Sequence, residues 1–479
     1  ACNLVEREAC RSRRNGSMTK KKSPVPMINP NPTPKTISPT VTILGVLLST
    51  RKIVAVKRSR SLALTKNRAG GQQSSSRGVR GHWRKSMRLL GLVCALTQSA
   101  LTQSALAQSA PAQSAPTQSV RASEETLEAS IQVLEALIWE QAEPLPGAAA
   151  VLVIKGKVRP LILHGFQAMD DIRPVSEQTV FQLASLSKSF AATAIALAVD
   201  EGQLHWGASI TTLLPELNWS DAQRAKRLKL FHLANQSSGL MPHAYTNLVE
   251  DVVSYKNILS RLQQVPFICD PGDCYSYQNV AFSLLGDALT KATGMSYARF
   301  AQQRLFAPLN MKTASVGTSA RVDEQLASAH VLHQTRWVVI PRNQRYYKVA
   351  PAAGVNASIA DMQQWLLAHL GLIEGLPLAP LKNLQSRYIA NERSDNHYPN
   401  DDRISKVGYG LGWRVFAFSG LDGFTHHGGY LRGMRSEMIF HRASESGLVF
   451  LTNSEPAALN RLSLAFAEWL VAEFGPLEP

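Results

Sequence analysis

"FQLASLSKSFAATAIALAVDEG", residues Phe181–Gly202, decides how this chain is read. Its alanines, with Phe190, Ile195, Leu197 and Val199, describe a buried helix. A lysine does not belong on such a helix unless its amine is used or its charge is paired. Ser185 and Lys188 are three residues apart and therefore share one helical face. Ser185 falls in the first turn, where free N–H groups and the positive helix end favour developing negative charge. A desolvated amine beside it can take the hydroxyl proton. The bland alternative is an N-capping serine with a lysine lying along the surface, and S-x-x-K spacing alone does not separate the two.

The flanking segments supply the architecture. "TLEASIQVLEALIWEQA" (126–142) has helical periodicity, and "GAAAVLVIKGKVRPLILHGF" (147–166) reads as a hairpin broken at Lys155-Gly156-Lys157. Helical patterns dominate from Ser185 into the 340s, including "VVSYKNILSRLQQV" and "SYARFAQQRLFAPL", and another helix follows at 358–371. Strand character returns at "YGLGWRVFAF" (409–418), "SEMIFHR" (436–442) and "SGLVFLTN" (446–453), before a final amphipathic helix at 458–474. Strands at both ends and helices between them predict a largely antiparallel sheet built from the two termini and covered by the first and last helices. The middle becomes a helical insertion, with a site in the cleft between the two parts.

Charge is distributed unevenly. The formal net charge is +16, but residues 1–120 carry 20 of the 51 Lys and Arg and only 2 of the 35 Asp and Glu. The remainder is nearly neutral, which excludes a nucleic-acid role for the folded part. Within the basic segment, Arg84, Lys85 and Arg88 precede the apolar run Leu89–Leu96, and Ala105-Leu106-Ala107 follows. That is the three-part pattern of a secretory signal starting near Met87, and it predicts a periplasmic or secreted protein. Residues 1–86 are then either an over-extended, disordered gene start, the reading adopted, or a functional basic tail. "VTILGVLL" (41–48) is too short to span a bilayer, so no stable transmembrane span is expected. The near-repeats of TQSAL and AQSAP complete a signal and linker over 87–123, and the folded domain is placed at 124–477. Its α/β part covers about 124–184 and 350–477, and its helical part about 185–349. Of the five cysteines, Cys269 and Cys274 fall in that domain; "CDPGDC" either closes a disulfide or carries two free thiols.

Two further motifs accompany the lysine helix. "PGDCYSYQNVAFSLLGD" (271–287) contains Tyr277-Gln278-Asn279; Tyr275 lies four residues from Asn279 and so does not fit Y-x-N spacing. "DGFTHHGGYLRGMRSEMIF" contains His427-Gly428-Gly429, with Gly433 downstream. Glycine on a strand lets a ligand approach the backbone. Together with "LANQSSGL", "NASIADMQQW" and "YGLGW", the chain over about 147–473 resembles the serine β-lactamase and penicillin-binding-protein superfamily. It is most similar to the class C β-lactamase, D-alanyl-D-alanine carboxypeptidase and family VIII esterase branch. The resemblance implies an α/β fold of α+β type, β-lactamase/transpeptidase-like.

It also implies a set of roles. Ser185 is the nucleophile, Lys188 and Tyr277 carry its proton, and Asn279 holds the lysine amine and the substrate amide. The backbone N–H groups of Ser185 and Tyr430 form an oxyanion hole, and Gly428 and Gly429 line the substrate strand. His427 bonds the motif tyrosine or the substrate. Ser187 is the small residue between nucleophile and lysine, and His426 faces the other way. The tyrosine works as a proton carrier if Lys188 lowers its pKa.

His427 stands where class C β-lactamases carry lysine, which favours peptidase, carboxypeptidase or esterase action over true β-lactamase action. Arg432 or Arg435 replaces the missing charge, or is merely solvated. The other reading is a non-catalytic penicillin-binding or peptidoglycan-sensing module. The expected partners are a small-molecule, D-amino-acid peptide or ester substrate acting on a monomer. No metal-ligand spacing occurs and no cofactor is expected.

Overall fold

The computed structural model of the chain describes residues 115–318, 324–391, 398, 401–455 and 460–475. The expected signal and the extension before it lie outside the described residues. The helix α1 runs from Ala115 to Ala142 and so begins nine residues before the expected boundary at Glu124. Extending an anchored helix needs no new nucleus, which lets Ser, Gln and Ala residues join it.

The strands are β1 (Gly147–Ile154), β2 (Lys157–Val158), β3 (Ile162–Ala168), β4 (Asp171–Pro174), β5 (Val180–Gln182), β6 (Ser315–Val316), β7 (Ala329–His333), β8 (Arg336–Ile340), β9 (Val355–Ser358), β10 (Ile389–Ala390), β11 (Ile404–Tyr409), β12 (Arg414–Phe418), β13 (Leu421–Leu431), β14 (Met434–His441) and β15 (Ser446–Thr452). The longer helices after α1 are α2 (Ser187–Asp200), α3 (Asn279–Thr293), α4 (Ile359–Leu370) and α5 (Asn460–Phe474).

β1 is buried at every position. Strand alternation divides its side chains between two cores. Ala149, Val151 and Val153 join the larger core, shared with α2, α3 and α4. Ala148, Ala150, Leu152 and Ile154 join the smaller one, with Ile131, Leu134 and Ile138 of α1 and Phe466, Trp469 and Leu470 of α5. The sheet runs β10-β11-β12-β13-β14-β15-β1-β3-β4, with β2 on the flank of β1. Every pairing in it is antiparallel. Ala148 to Val153 of β1 face Thr452 to Gly447 of β15, so the two ends of the domain meet at the sheet centre. The α+β arrangement expected from the sequence is the one observed.

Some expectations change. "YGLGWRVFAF" is not one strand but β11 and β12, parted at Gly410–Trp413. Gly412 lies there at φ 75°, and a Cβ on it would meet the Lys188 carbonyl oxygen at 2.6 Å, so the turn is pressed against α2. The region expected to be helical also holds β6 and the β7–β8 hairpin, whose turn puts Gln334 at φ 55°. "VVSYKNILSRLQQV" forms only the short helix Tyr255–Leu259 and a 3-10 turn, Leu262–Gln264. Local periodicity did not register these breaks, because tertiary contacts impose them.

Candidate active site

β5 delivers the chain to the site, and Ala184 turns it. Ala184 is buried at φ 49°, a left-handed conformation that costs a non-glycine residue on the order of 1 kcal/mol or more. The 3-10 turn Ala184–Leu186 then runs into α2, so Ser185 precedes the α-helix rather than lying in its first turn. From Phe181 to Ala198, Ser185 alone is not buried. α2 is fixed beneath it by Phe190, which stacks on Trp365 of α4 with ring centres 3.9 Å apart. Ser187 points away and accepts the Val355 N–H at 2.9 Å, so its hydroxyl is structural.

Lys188 is fully buried. Its Nζ lies 2.7 Å from Asn279 Oδ1, 3.0 Å from the Ala352 carbonyl oxygen and 3.3 Å from Ser185 Oγ. Burial, and secondarily the charge of Arg414, push its pKa well below the ordinary lysine value. A neutral amine has two N–H groups and one lone pair. Asn279 Oδ1 and the Ala352 oxygen can only accept, which leaves the lone pair for the one neighbour that can donate, the Ser185 hydroxyl.

Tyr277 reaches the same oxygen from another segment, donating its hydroxyl to Ser185 Oγ at 2.9 Å. The loop before it is clamped to "NQSSGL". Ser276 N–H donates to the Gln236 carbonyl at 2.6 Å, Gln278 N–H to Gln236 Oε1 at 2.9 Å, and Gly272 N–H to the Ser237 carbonyl at 2.8 Å. Cys269 and Cys274 form a disulfide across this loop. Gln278 then caps α3 by accepting the N–H groups of Val280 and Ala281, which places Asn279 at the helix start beside Lys188. The expectation that Lys188 lowers the phenol pKa does not match the electrostatics. Burial raises it, with Arg414 and the Ser185 hydrogen bond opposing. Tyr275 bonds elsewhere, with its hydroxyl 3.5 Å from an Arg414 Nη and its pKa pushed up to about 12 by burial.

β13 passes beside the nucleophile. A Cβ on Gly429 would lie 2.0 Å from the Leu183 carbonyl oxygen, so only glycine lets the strand pack on the turn carrying Ser185. A Cβ on Gly428 would meet the Glu437 carboxylate at 2.7 Å. Leu431 pairs with Met434 at the tight turn into β14, so alternation directs the Tyr430 N–H away from β14. The Tyr430 side chain is exposed, and its hydroxyl donates to Glu455.

His427 is buried, but it does not bond Tyr277. Its Nε2 lies 2.9 Å from the Tyr409 hydroxyl and its Nδ1 2.8 Å from the Gly428 carbonyl oxygen. Burial and the nearby cations hold its pKa well below the histidine norm. Both nitrogens are therefore engaged by the scaffold. His426, on the opposite face, bonds Glu437 at 2.7 Å and Tyr398 at 2.8 Å. Arg435 is paired with Glu437 at 3.0 Å, and Arg432 is exposed at the turn between β13 and β14.

Two residues near the site were not singled out from the sequence. Arg414, at the start of β12, is buried with its guanidinium carbon 5.7 Å from the centre of the Tyr277 ring. It was hidden inside the scaffold motif "YGLGWR", and no spacing rule marks it. His243, at φ 56°, donates its backbone N–H to the Tyr277 carbonyl, and its ring centre is 5.4 Å from that of Tyr277. Among the described residues, no three His, Cys, Asp or Glu side chains gather as a metal site, and no helix is long and apolar enough to cross a membrane.

The family model described as Beta-lactamase matches residues 131–473. A protein named Beta-lactamase from Escherichia coli (strain K12) is 26% identical over 262 residues, which cover 52% of this chain and 63% of that protein. Protein flp of Staphylococcus aureus (strain N315) is 25% identical over 317 residues, covering 64% of this chain and 60% of that one. The chain thus spans somewhat under two thirds of the length of these relatives. Among solved structures, the octameric penicillin-binding protein homologue from Pyrococcus abyssi superposes with a TM-score of 0.61 at 20% identity, covering 71% of this chain and 77% of that one. The class C beta lactamase from Rhodobacter sphaeroides gives 0.56, also at 20% identity, covering 72% and 98%.

Proposed function

The chain belongs to the β-lactamase family, and on that basis we propose that it is an acyl-enzyme serine hydrolase acting as a peptidase, carboxypeptidase or esterase, with Ser185 as nucleophile. The observation that carries this reading is the meeting at Ser185 Oγ of a buried amine at 3.3 Å and a phenol at 2.9 Å, from segments far apart in the sequence.

The roles follow from the protonation each environment favours. Lys188, pressed toward the neutral form, takes the Ser185 proton as Oγ attacks the carbonyl carbon of an ester or amide. The carbonyl π electrons move to oxygen, where the Ser185 and Tyr430 N–H groups receive the charge. Tyr277, kept protonated by burial, gives its proton to the leaving oxygen or nitrogen as the bond to the acyl carbon breaks. The proton on Lys188 then returns to Tyr277 through the active-site hydrogen bonds. Water repeats the cycle on the acyl-enzyme, releasing the acid and restoring Ser185. No metal or cofactor enters this scheme.

His427 favours neutral esters and amides over β-lactams, because a neutral imidazole bonded to Tyr409 offers no charge to a substrate carboxylate. We take the enzyme to be a monomer, exported through the signal near Met87; the Cys269–Cys274 disulfide suits an oxidising compartment. Fluorophosphonate labelling and p-nitrophenyl ester turnover test the reading. Wild-type protein should label at one site and turn over, and Ser185→Ala should do neither. Stoichiometric labelling of Ser185→Ala rejects the assignment.

A further inference from the structure

Tyr277 serves the reaction only while its hydroxyl meets Ser185 Oγ, and the backbone on either side of the residue sets that direction. The peptide unit between Tyr277 and Gln278 is gripped at both edges. Its carbonyl oxygen accepts the His243 N–H at 2.9 Å, and its N–H donates to Gln236 Oε1 at 2.9 Å. On the other side of the tyrosine, the Ser276 N–H donates to the carbonyl oxygen of the same glutamine at 2.6 Å. Gln236 thus brackets Tyr277, with its backbone on one neighbour and its side chain on the other.

Gln236 sits at φ 59° and His243 at φ 56°, left-handed values that a non-glycine residue keeps only where its surroundings enforce them. The disulfide, the Gly272 N–H and the Ser276 hydroxyl, which bonds the Leu240 carbonyl, tie the loop down before it reaches Tyr277. Gln236 Oε1 reaches past the tyrosine, to the residue that caps α3. Gln236 is 2% exposed and Gln278 is fully buried, so water does not stand ready to replace that bond. A buried N–H deprived of its acceptor is costly, and the peptide carrying it shifts to find another.

We propose that Gln236 is a positioning residue that aims Tyr277 at Ser185, by holding the Tyr277–Gln278 peptide through its side-chain oxygen. The inference rests on the proposed acyl-enzyme mechanism, in which Tyr277 gives its proton to the leaving group. Loss of the acceptor therefore impairs departure of the leaving group more than attack by Ser185.

The test compares kcat/KM for p-nitrophenyl acetate and phenyl acetate, which share an acyl group and differ in how much the leaving oxygen needs a proton. The proteins are wild type, Gln236→Met, Tyr277→Phe and the double variant. Gln236→Met keeps the length of the side chain and removes the acceptor. Should it not fold, Gln236→Asn replaces it, since asparagine tolerates the left-handed backbone but its amide stops one methylene short. Gln236→Met should lose about tenfold on phenyl acetate and no more than about threefold on p-nitrophenyl acetate. In the Tyr277→Phe background the same substitution should change the phenyl acetate rate by less than about twofold, because the group it aims is already gone. Equal losses on the two esters overturn the proposal, since a general loosening of the fold does not distinguish leaving groups. So does a Gln236→Met loss that persists undiminished beside Tyr277→Phe. A Tyr277→Phe variant that keeps the wild-type ratio of the two rates would remove the tyrosine's role as acid, and the proposal with it; that failure is read without touching Gln236.

Discussion

Asn279 Oδ1 lies 2.7 Å from Lys188 Nζ, joining the first residue of α3 to the opening turn of α2 across 91 positions of sequence. The amide is a neutral acceptor, so it orients the amine without drawing a proton onto it. Asn279→Asp changes that with little change in shape. A carboxylate at this distance favours the ammonium and raises the Lys188 pKa. Ester turnover at pH 7 should fall by about 100-fold, and the acid limb of kcat/KM should move upward, so that part of the activity returns in alkaline buffer. A flat loss across the pH range would show that Asn279 acts in some other way.

Tyr277 and Tyr275 are two residues apart and both half-buried, yet only Tyr277 donates to Ser185. Tyr277→Phe keeps the ring and removes the proton donor, and should cost roughly 10²–10⁴ in kcat/KM, the usual range for a positioned acid. Tyr275→Phe should stay within about tenfold of wild type. Comparable losses from the two substitutions would mean that the pair serves packing.

Gly429→Ala places a methyl 2.0 Å from the Leu183 oxygen and 2.4 Å from Ser436 Oγ, itself bonded to that oxygen at 2.7 Å. Backbone must move, because a carbonyl offers no rotamer to retreat into. The variant should lose about 1–3 kcal/mol of stability. Acylation should fall more steeply than that loss suggests, since β13 withdraws from the turn carrying Ser185. Chemical denaturation paired with burst kinetics measures both, and normal acylation in a folded variant would exclude the close approach.

Lys188 has a folded-state pKa well below its ordinary value of 10.5, so between those two values the unfolded chain holds a proton that the folded chain lacks. Stability attributable to this group therefore rises with pH through that window and levels off near 10.5. Lys188→Met removes the dependence. The stability of wild type relative to Lys188→Met should improve as pH is raised toward 10.5, as read from urea midpoints. A difference that stays constant would mean that the amine is charged in the folded protein.

Much of this molecule was legible beforehand. The apolar runs of β1 and the late strands marked a sheet shared by the two ends, and the pairing of Ala148 with Thr452 is its realisation. S-x-x-K and Y-x-N marked Ser185, Lys188, Tyr277 and Asn279, which meet at one oxygen and one nitrogen. The strand breaks were less visible. Gly412 turns because the Lys188 carbonyl fills the space its side chain would need, and no neighbour in sequence records that pressure.

By itself, then, the sequence determined which groups can do chemistry and which segments carry them, because residue type and local period are properties of the chain. Only the tertiary structure decided their environments and partners: Lys188 pressed toward its neutral form by burial, His427 turned to Tyr409, Arg414 brought against Tyr277 from another strand. Desolvation and charge proximity act through space, and a one-dimensional order of residues does not contain the distances on which they depend.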